Sequence, residues 1–368
     1  MTIGIFGTSV LVSVVVIFGA APAASRRHGH ATSKAELAAI NQGIIFIPYH
    51  KTGHNLVRVL IETTHKVLNL PVRHGHAKHR VCCPSFACPS AGYISEWFAP
   101  DLALSPVPVP PCFAIVHMVR SPASWALSFY DYHVQDPTPE KSVETAKPVC
   151  ELAHPPEYMD ALPGLRAGWV GDAVAACQAI VERNPHHSIL QHLRTLPETE
   201  GLRLAVLLNL FRDSRVHRNG LPAGNGDMMR AAANQVTIER RQGEVAAASA
   251  TPLDSRARVT TIWMDETIGA PEATMTQLAA FLIDAVGEAT AKNNASQVAS
   301  LASQLLSNQA QSFAKASKGN HVTGGGHGRN PNATVERRAR LIAGLEADPI
   351  FAEAFAWWRS VFGMERRG

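Results

Sequence analysis

The chain has 368 residues, 46% of them apolar and 17% charged, and carries a formal net charge of +4 at pH 7. This composition excludes a disordered polyelectrolyte, and the length allows a sizeable buried core. Lys and Arg are scattered rather than clustered into a basic arm, so no nucleic-acid partner is expected.

In chain order, the first feature is an uncharged run from Ile3 to Ala24, rich in Ile, Val, Phe, Ala and Gly. It is long enough to cross a bilayer as a helix, which takes about 20 residues. Two readings stay open. Residues 1–25 are an uncleaved signal anchor of a single-pass membrane protein, or a cleaved signal peptide ending near Ala21-Pro22-Ala23, which leaves a secreted protein. Both place the rest of the chain in the secretory lumen. Residues 26–42 read as a short stem, and 43–368 as one domain with large inserts. The sequons Asn294-Ala295-Ser296 and Asn332-Ala333-Thr334 agree with that compartment. So does an even cysteine count, Cys82, Cys83, Cys88, Cys112, Cys150 and Cys177, from which at least one disulfide is expected.

Gly43 to Pro48 (GIIFIP) predicts a buried strand, and the apolar spacing from His54 to Leu68 a helix. Pro71 to Pro111, with several His, Cys and Pro, reads as irregular. Cys112 to Val119 predicts a second strand, followed by a helix through Ser128 to Tyr132 and a Pro-rich loop from Asp136 to Pro156. Helical patterns cover Trp169 to Arg183 and Glu200 to Arg212. Arg258 to Met264 is a third strand, closed by Asp265-Glu266. Helices follow at Thr274 to Ala285 and Gln297 to Ala314, then a loop from Lys315 to Asn332, and a last helix with Phe351, Phe355, Trp357 and Trp358. Strands separated by helical stretches imply βαβ crossovers, hence an α/β fold with a central parallel sheet flanked by helices.

The loop after the first strand reads Pro48-Tyr49-His50-Lys51-Thr52-Gly53-His54-Asn55. A helix N-terminus presents unpaired N–H groups and a positive dipole end, a natural place for an anion. Lys51 adds a point charge, Thr52 and Asn55 can donate hydrogen bonds, and Gly53 permits close backbone approach. A Walker A loop has its lysine after the last glycine; here Lys51 precedes the loop's glycine. The second strand ends in Val119-Arg120-Ser121-Pro122, with Ser128 on the helix beyond. A guanidinium at a strand end and a nearby hydroxyl can converge on one phosphate.

Together these two segments resemble the sulfotransferase family, which uses 3′-phosphoadenosine-5′-phosphosulfate (PAPS), and within it the lumenal, Golgi-type carbohydrate enzymes. The resemblance implies a three-layer P-loop-like fold. It implies that His50, Lys51, Thr52, Gly53, His54 and Asn55 bind the 5′-phosphosulfate, with Lys51 at the bridging oxygen, and that Arg120 and Ser128 hold the 3′-phosphate. Leu196-Pro197-Glu198, Ile262 to Glu266 ahead of Phe281-Leu282, and Lys315 to His321 extend the likeness; Lys318 and Gly319 would close over the nucleotide. His54-Asn55 stands where the family has Thr or Ser pairs, a departure that bears on activity.

The expected reaction is in-line sulfuryl transfer to an acceptor hydroxyl, on a carbohydrate by the resemblance. It needs no metal, with Lys51 stabilising charge on the leaving oxygen. The base falls to His74 or His76, beyond the first helix, because imidazole titrates near neutrality; Glu96 and Asp101 are reserves, Glu62 reads as solvated, and His117 as a satisfied core or cleft residue. His74, His76, His79, Cys82, Cys83 and Cys88 include zinc-type ligands without a familiar spacing. Two further functions compete: a degenerate member that keeps the fold and binds a glycan or protein partner, and a nucleotide-dependent kinase, which the missing Walker lysine and magnesium ligands disfavour.

Overall fold

The computed structural model describes residues 43–49, 52–73, 92–98, 100, 102, 113–135, 141–152, 165, 168–211, 226–248, 258–286, 294–318 and 331–363. Five strands form one sheet: β1 (Gly43–Ile47), β2 (Val72–Arg73), β3 (Tyr93–Glu96), β4 (Phe113–Val119) and β5 (Arg258–Trp263). They lie in the order β2-β3-β1-β4-β5, and every pairing is parallel.

β1 and β4 are buried along their whole length, as strands covered on both faces must be. Successive side chains point to opposite faces. Ile45, Ile47, Phe113, Ile115 and Val119 therefore enter one core, and Ile44, Phe46, Ala114, Val116 and Met118 enter another. The second core is closed by α1 (His54–Leu68), α9 (Pro271–Val286) and α10 (Asn294–Lys318). The first is larger. It takes α2 (Pro122–Gln135), α4 (Trp169–Val181), α5 (Ile189–Thr195), α6 (Glu198–Leu210), α7 (Asp227–Ala248), α11 (Pro331–Glu346) and α12 (Pro349–Val361). Two short helices also lie among the described residues, α3 (Lys141–Thr145) before α4 and α8 (Met264–Gly269) directly after β5. The protein is thus a mixed α/β structure whose parallel sheet carries helices on both faces.

The strand order has a consequence for binding. From β1 the chain crosses through α1 to the outer edge at β2, whereas from β4 it proceeds to the opposite edge at β5. Neighbouring strands whose connections diverge leave a crevice at their C-terminal ends, where ligands of open α/β sheets bind. Here those ends carry the loop before α1 and the turn at Arg120.

Several sequence expectations are corrected. Pro71 to Pro111 is not irregular throughout, since it contains β2 and β3. These strands are too short to show a period of two, and pairing specifies them instead, β3 against β1 and β2 against β3. The Asp136 to Pro156 loop contains α3, and α2 runs from Pro122, a residue suited to the first helical turn. The long helix α7 was not anticipated. α10 continues through Lys315 to Lys318, and α11 starts at Pro331, so the expected loop from Lys315 to Asn332 is helical at both ends. Lys315-Ala316-Ser317-Lys318 contains no helix breaker, and the first glycine is at 319.

The expected disulfide is present between Cys150 and the buried Cys177 of α4. The other four cysteines lie outside the described residues, as does the apolar run from Ile3 to Ala24. Among the described residues no helix is long and apolar enough to cross a membrane.

Candidate functional site

The loop between β1 and α1 is closed by its own side chains. The Thr52 N–H donates to the Tyr49 carbonyl at 3.1 Å, and the Thr52 hydroxyl donates to that carbonyl at 2.9 Å. In return the Tyr49 N–H reaches Thr52 Oγ1 at 2.8 Å. Thr52 is fully buried. Its hydroxyl, expected to contact a ligand, is committed to the turn. Gly53 then caps α1 with φ of 95° and ψ of 34°, a left-handed conformation that β-carbons disfavour. A Cβ at Gly53 would also lie 2.9 Å from Met264 Sδ. α1 begins with no side-chain cap on its first N–H groups and no acidic residue in its first turn, leaving its positive end available to an anion.

His54, the first residue of α1, pairs its Nδ1 with Glu96 Oε1 at 2.6 Å. The two side chains are 32% and 22% exposed, so the pair lies at the mouth of the crevice rather than in the core. Phe98 packs edge-on against the imidazole, with ring centroids 5.0 Å apart. Glu96 ends β3, whose Cα register places it beside Phe46 of β1. Asn55 is exposed on α1, and Glu62 is solvated as expected.

On the other side of β1, Arg120 follows β4 and is 8% exposed. Its Nε lies 3.5 Å from Asp265 Oδ1, and the Ser121 N–H donates to Asp265 Oδ2 at 2.8 Å. One carboxylate at the start of α8 thus fixes both the guanidinium and the turn that carries it. Met264, one residue earlier, packs against Gly53. The Met264-Asp265 pair therefore bridges the two loops that sequence reading singled out separately. Burial lowers the Arg120 pKa; Asp265 opposes that shift, and the nearby Arg338 adds to it. Each of the two guanidiniums has a carboxylate beside it, Asp265 for Arg120 and Asp131 for Arg338.

Ser128 lies on α2 and is 2% exposed. One helical turn on, the buried Asp131 receives Arg337 Nη2 at 3.0 Å and Arg338 Nη1 at 3.1 Å. Arg337 also donates to Glu198 through Nε at 2.7 Å. This network anchors α11 on α2 and brings Arg338 towards Arg120, which sequence reading did not foresee: Arg338 lies 218 positions from Arg120 in the chain numbering, in a helix that was read as partly loop.

Beneath the loop is a buried polar chain. Tyr49 Oη lies 2.6 Å from His117 Nε2 on β4 and accepts from Asn234 Nδ2 at 2.7 Å. His117 Nδ1 lies 3.0 Å from Gln235 Oε1, and Gln235 Nε2 donates to Glu239 at 2.7 Å. Because Gln235 gives its amide hydrogen to a carboxylate, its oxygen faces His117, whose Nδ1 must carry the proton. Nε2 then accepts the Tyr49 hydroxyl proton. Burial pushes the His117 pKa down to about 4, so the ring is neutral near pH 7. His117 is thus the satisfied core residue expected of it.

His50, Lys51, His74, His76, Asp101 and Gly319 lie outside the described residues, as does the Lys318 side chain; the Lys318 backbone ends α10. β2 ends at Arg73, in register with Ser95, the residue before Glu96. Among the described residues no cluster of three or more His, Cys, Asp or Glu could hold a metal ion; the His- and Cys-rich stretch from 74 to 88 is outside them. Set against family models, curated proteins and solved structures, the chain matches none.

Proposed function

We propose that this protein is a PAPS-dependent sulfotransferase of P-loop-like fold that transfers a sulfuryl group to a hydroxyl, on a carbohydrate, in the lumen of the secretory pathway. One observation carries the reading. The two loops with anion-binding chemistry, the glycine-capped start of α1 and the Arg120 turn, leave the adjacent strands β1 and β4 and are bridged by Met264-Asp265. In this reading Lys51, with the first N–H groups of α1, faces the phosphosulfate, while Arg120, assisted by Arg338 and bordered by Ser128, faces the 3′-phosphate.

The reaction requires a group to take the acceptor proton as the acceptor oxygen attacks sulfur. In this reading Glu96, held in reserve on sequence, takes that proton, a role supported by a side chain that is partly exposed and lies 2.6 Å from His54 Nδ1. His74 and His76 remain alternative bases. The His54 departure from the family pattern, which favoured a degenerate binding protein, thereby acquires a catalytic rationale. Lumenal residence is supported by the Cys150–Cys177 bridge, since such bridges persist in oxidising compartments.

The test is calorimetric titration of the protein with 3′,5′-ADP and, separately, with ATP and magnesium. Binding of 3′,5′-ADP in preference to ATP supports the sulfotransferase. Preference for ATP supports a kinase, and binding of neither supports a scaffold that retains only the fold.

A further inference from the structure

Asn234 has no place in the resemblance on which the function is proposed, yet it occupies an unusual position. It is fully buried on α7 and its amide makes three bonds. Nδ2 donates to Tyr49 Oη at 2.7 Å and to the Pro100 carbonyl at 2.8 Å, while Oδ1 accepts from the Leu102 N–H at 2.8 Å. A carboxamide offers two donor hydrogens and an acceptor oxygen, and here each function has a partner.

These partners belong to two segments that flank the crevice. Tyr49 lies two residues before Lys51 and forms the turn with Thr52, so its ring sets the base of the β1–α1 loop. Pro100 and Leu102 follow the stretch that begins at Glu96. That stretch is tied to β1 at its start, where the Trp97 N–H donates to the Phe46 carbonyl at 2.8 Å. The Tyr49 ring is held from the other side by His117, itself fixed by Gln235, the next residue of α7. Two consecutive residues of one helix therefore grip the loop from two directions, and the first of them also grips the segment after Glu96.

We propose that Asn234 is a positioning residue that couples the Tyr49–Thr52 turn to the segment after Glu96, holding the two sides of the crevice in one fixed relation. The inference rests on the sulfotransferase reading for its catalytic consequence. The mechanical coupling stands on the hydrogen bonds alone. In-line transfer tolerates little misplacement, and a shift of about 1 Å in a positioning element can cost about 100-fold in rate.

The test removes one oxygen. Tyr49→Phe keeps the ring but deletes the hydroxyl between His117 and Asn234. Amide hydrogen exchange, followed by mass spectrometry on the unliganded full chain, is compared at residues 97–102 and across the loop. Coupling requires exchange at Leu102, whose N–H donates to Asn234 Oδ1, to speed up by about tenfold or more. Exchange there at the wild-type rate overturns the proposal. Should Tyr49→Phe fail to fold, Asn234→Ser is read at the Thr52 amide, which accelerates if coupling runs the other way and is unchanged if it does not.

Steady-state kinetics with PAPS supplies the second reading. Tyr49→Phe should lower kcat by about 10-fold to 100-fold while the donor KM stays within about threefold, a split that general loosening of the fold would not give. Wild-type protein that binds no 3′,5′-ADP refutes the functional reading, whereas the exchange arm still decides the coupling.

Discussion

The imidazole of His54 and the carboxylate of Glu96 meet at 2.6 Å, joining the first residue of α1 to the last residue of β3. The contact links the placing of the uncapped start of α1 to that of an acidic side chain, across adjacent parallel strands. If Glu96 takes the acceptor proton, Glu96→Gln should lower kcat by about 100-fold to 1,000-fold, the usual contribution of general-base catalysis, with little change in donor affinity. His54→Asn, which retains a donor, should cost less than Glu96→Gln. Kinetics of both variants at saturating PAPS make the comparison. Full activity in Glu96→Gln would return the base to His74 or His76.

Arg120 is the residue on which donor recognition should depend most. Its guanidinium is buried, so truncation removes a charge-assisted donor where water replaces it poorly. Arg120→Ala is expected to weaken 3′,5′-ADP binding by about 100-fold or more, on the order of 3 kcal/mol. Arg120→Lys should recover only part of that, because an ammonium lacks the planar fork. Titration calorimetry distinguishes the variants, and near-wild-type affinity in Arg120→Ala would exclude this strand end from the nucleotide site.

Gly53 is constrained twice, by its φ of 95° and by Met264 Sδ at 2.9 Å from the place a Cβ would take. The sulfur is the movable part of a flexible side chain, so the steric contact can relax, whereas the backbone conformation cannot. Gly53→Ala should therefore cost about 1–2 kcal/mol of stability through the left-handed backbone. Loss of 3′,5′-ADP affinity should accompany it as the start of α1 shifts. Urea denaturation and calorimetry on the same variant measure both. Unchanged stability would mean that the turn tolerates a side chain and that its glycine is not required for the fold.

Sequence reading located the elements that carry their own signal and missed those specified by distant partners. β1, β4 and β5 are compact apolar runs, and α1 shows clear helical spacing, so each could be found locally. β3 exists because it pairs with β1, and β2 because it pairs with β3, information that a two- or four-residue run in a Pro- and His-rich stretch does not contain. α7 is buried round much of its first half, which removes amphipathic periodicity, and its Asn234 and Gln235 look polar until their partners are known. The same limit applies at the site. Arg120 and Gly53 stand out by position in a strand-loop-helix unit, but the His54–Glu96 contact and the approach of Arg338 depend on strand order and helix docking.

His117 offers the clearest pH signature in the core. Its ring is fully buried, and desolvation lowers its pKa from an ordinary 6.5 to about 4. The folded state therefore resists protonation that the unfolded chain accepts. Above about pH 6.5 both states hold neutral imidazole and this group makes no pH-dependent difference. As pH falls below that value the unfolded state binds the proton first, so stability declines by about 1.4 kcal/mol per pH unit until the folded-state pKa is reached near pH 4. The full loss is on the order of 3 kcal/mol. His117→Asn lacks the titrating group, although it also shortens the reach to Tyr49 and Gln235 and so should be less stable at pH 7. Urea unfolding at pH 7 and pH 5 compares the two proteins. The expected result is that wild type loses about 2 kcal/mol more than His117→Asn over that interval. Equal losses would show that the buried ring is protonated through a relaxed or hydrated core, and that the Tyr49–His117–Gln235 chain is not the dry hydrogen-bonded unit described here.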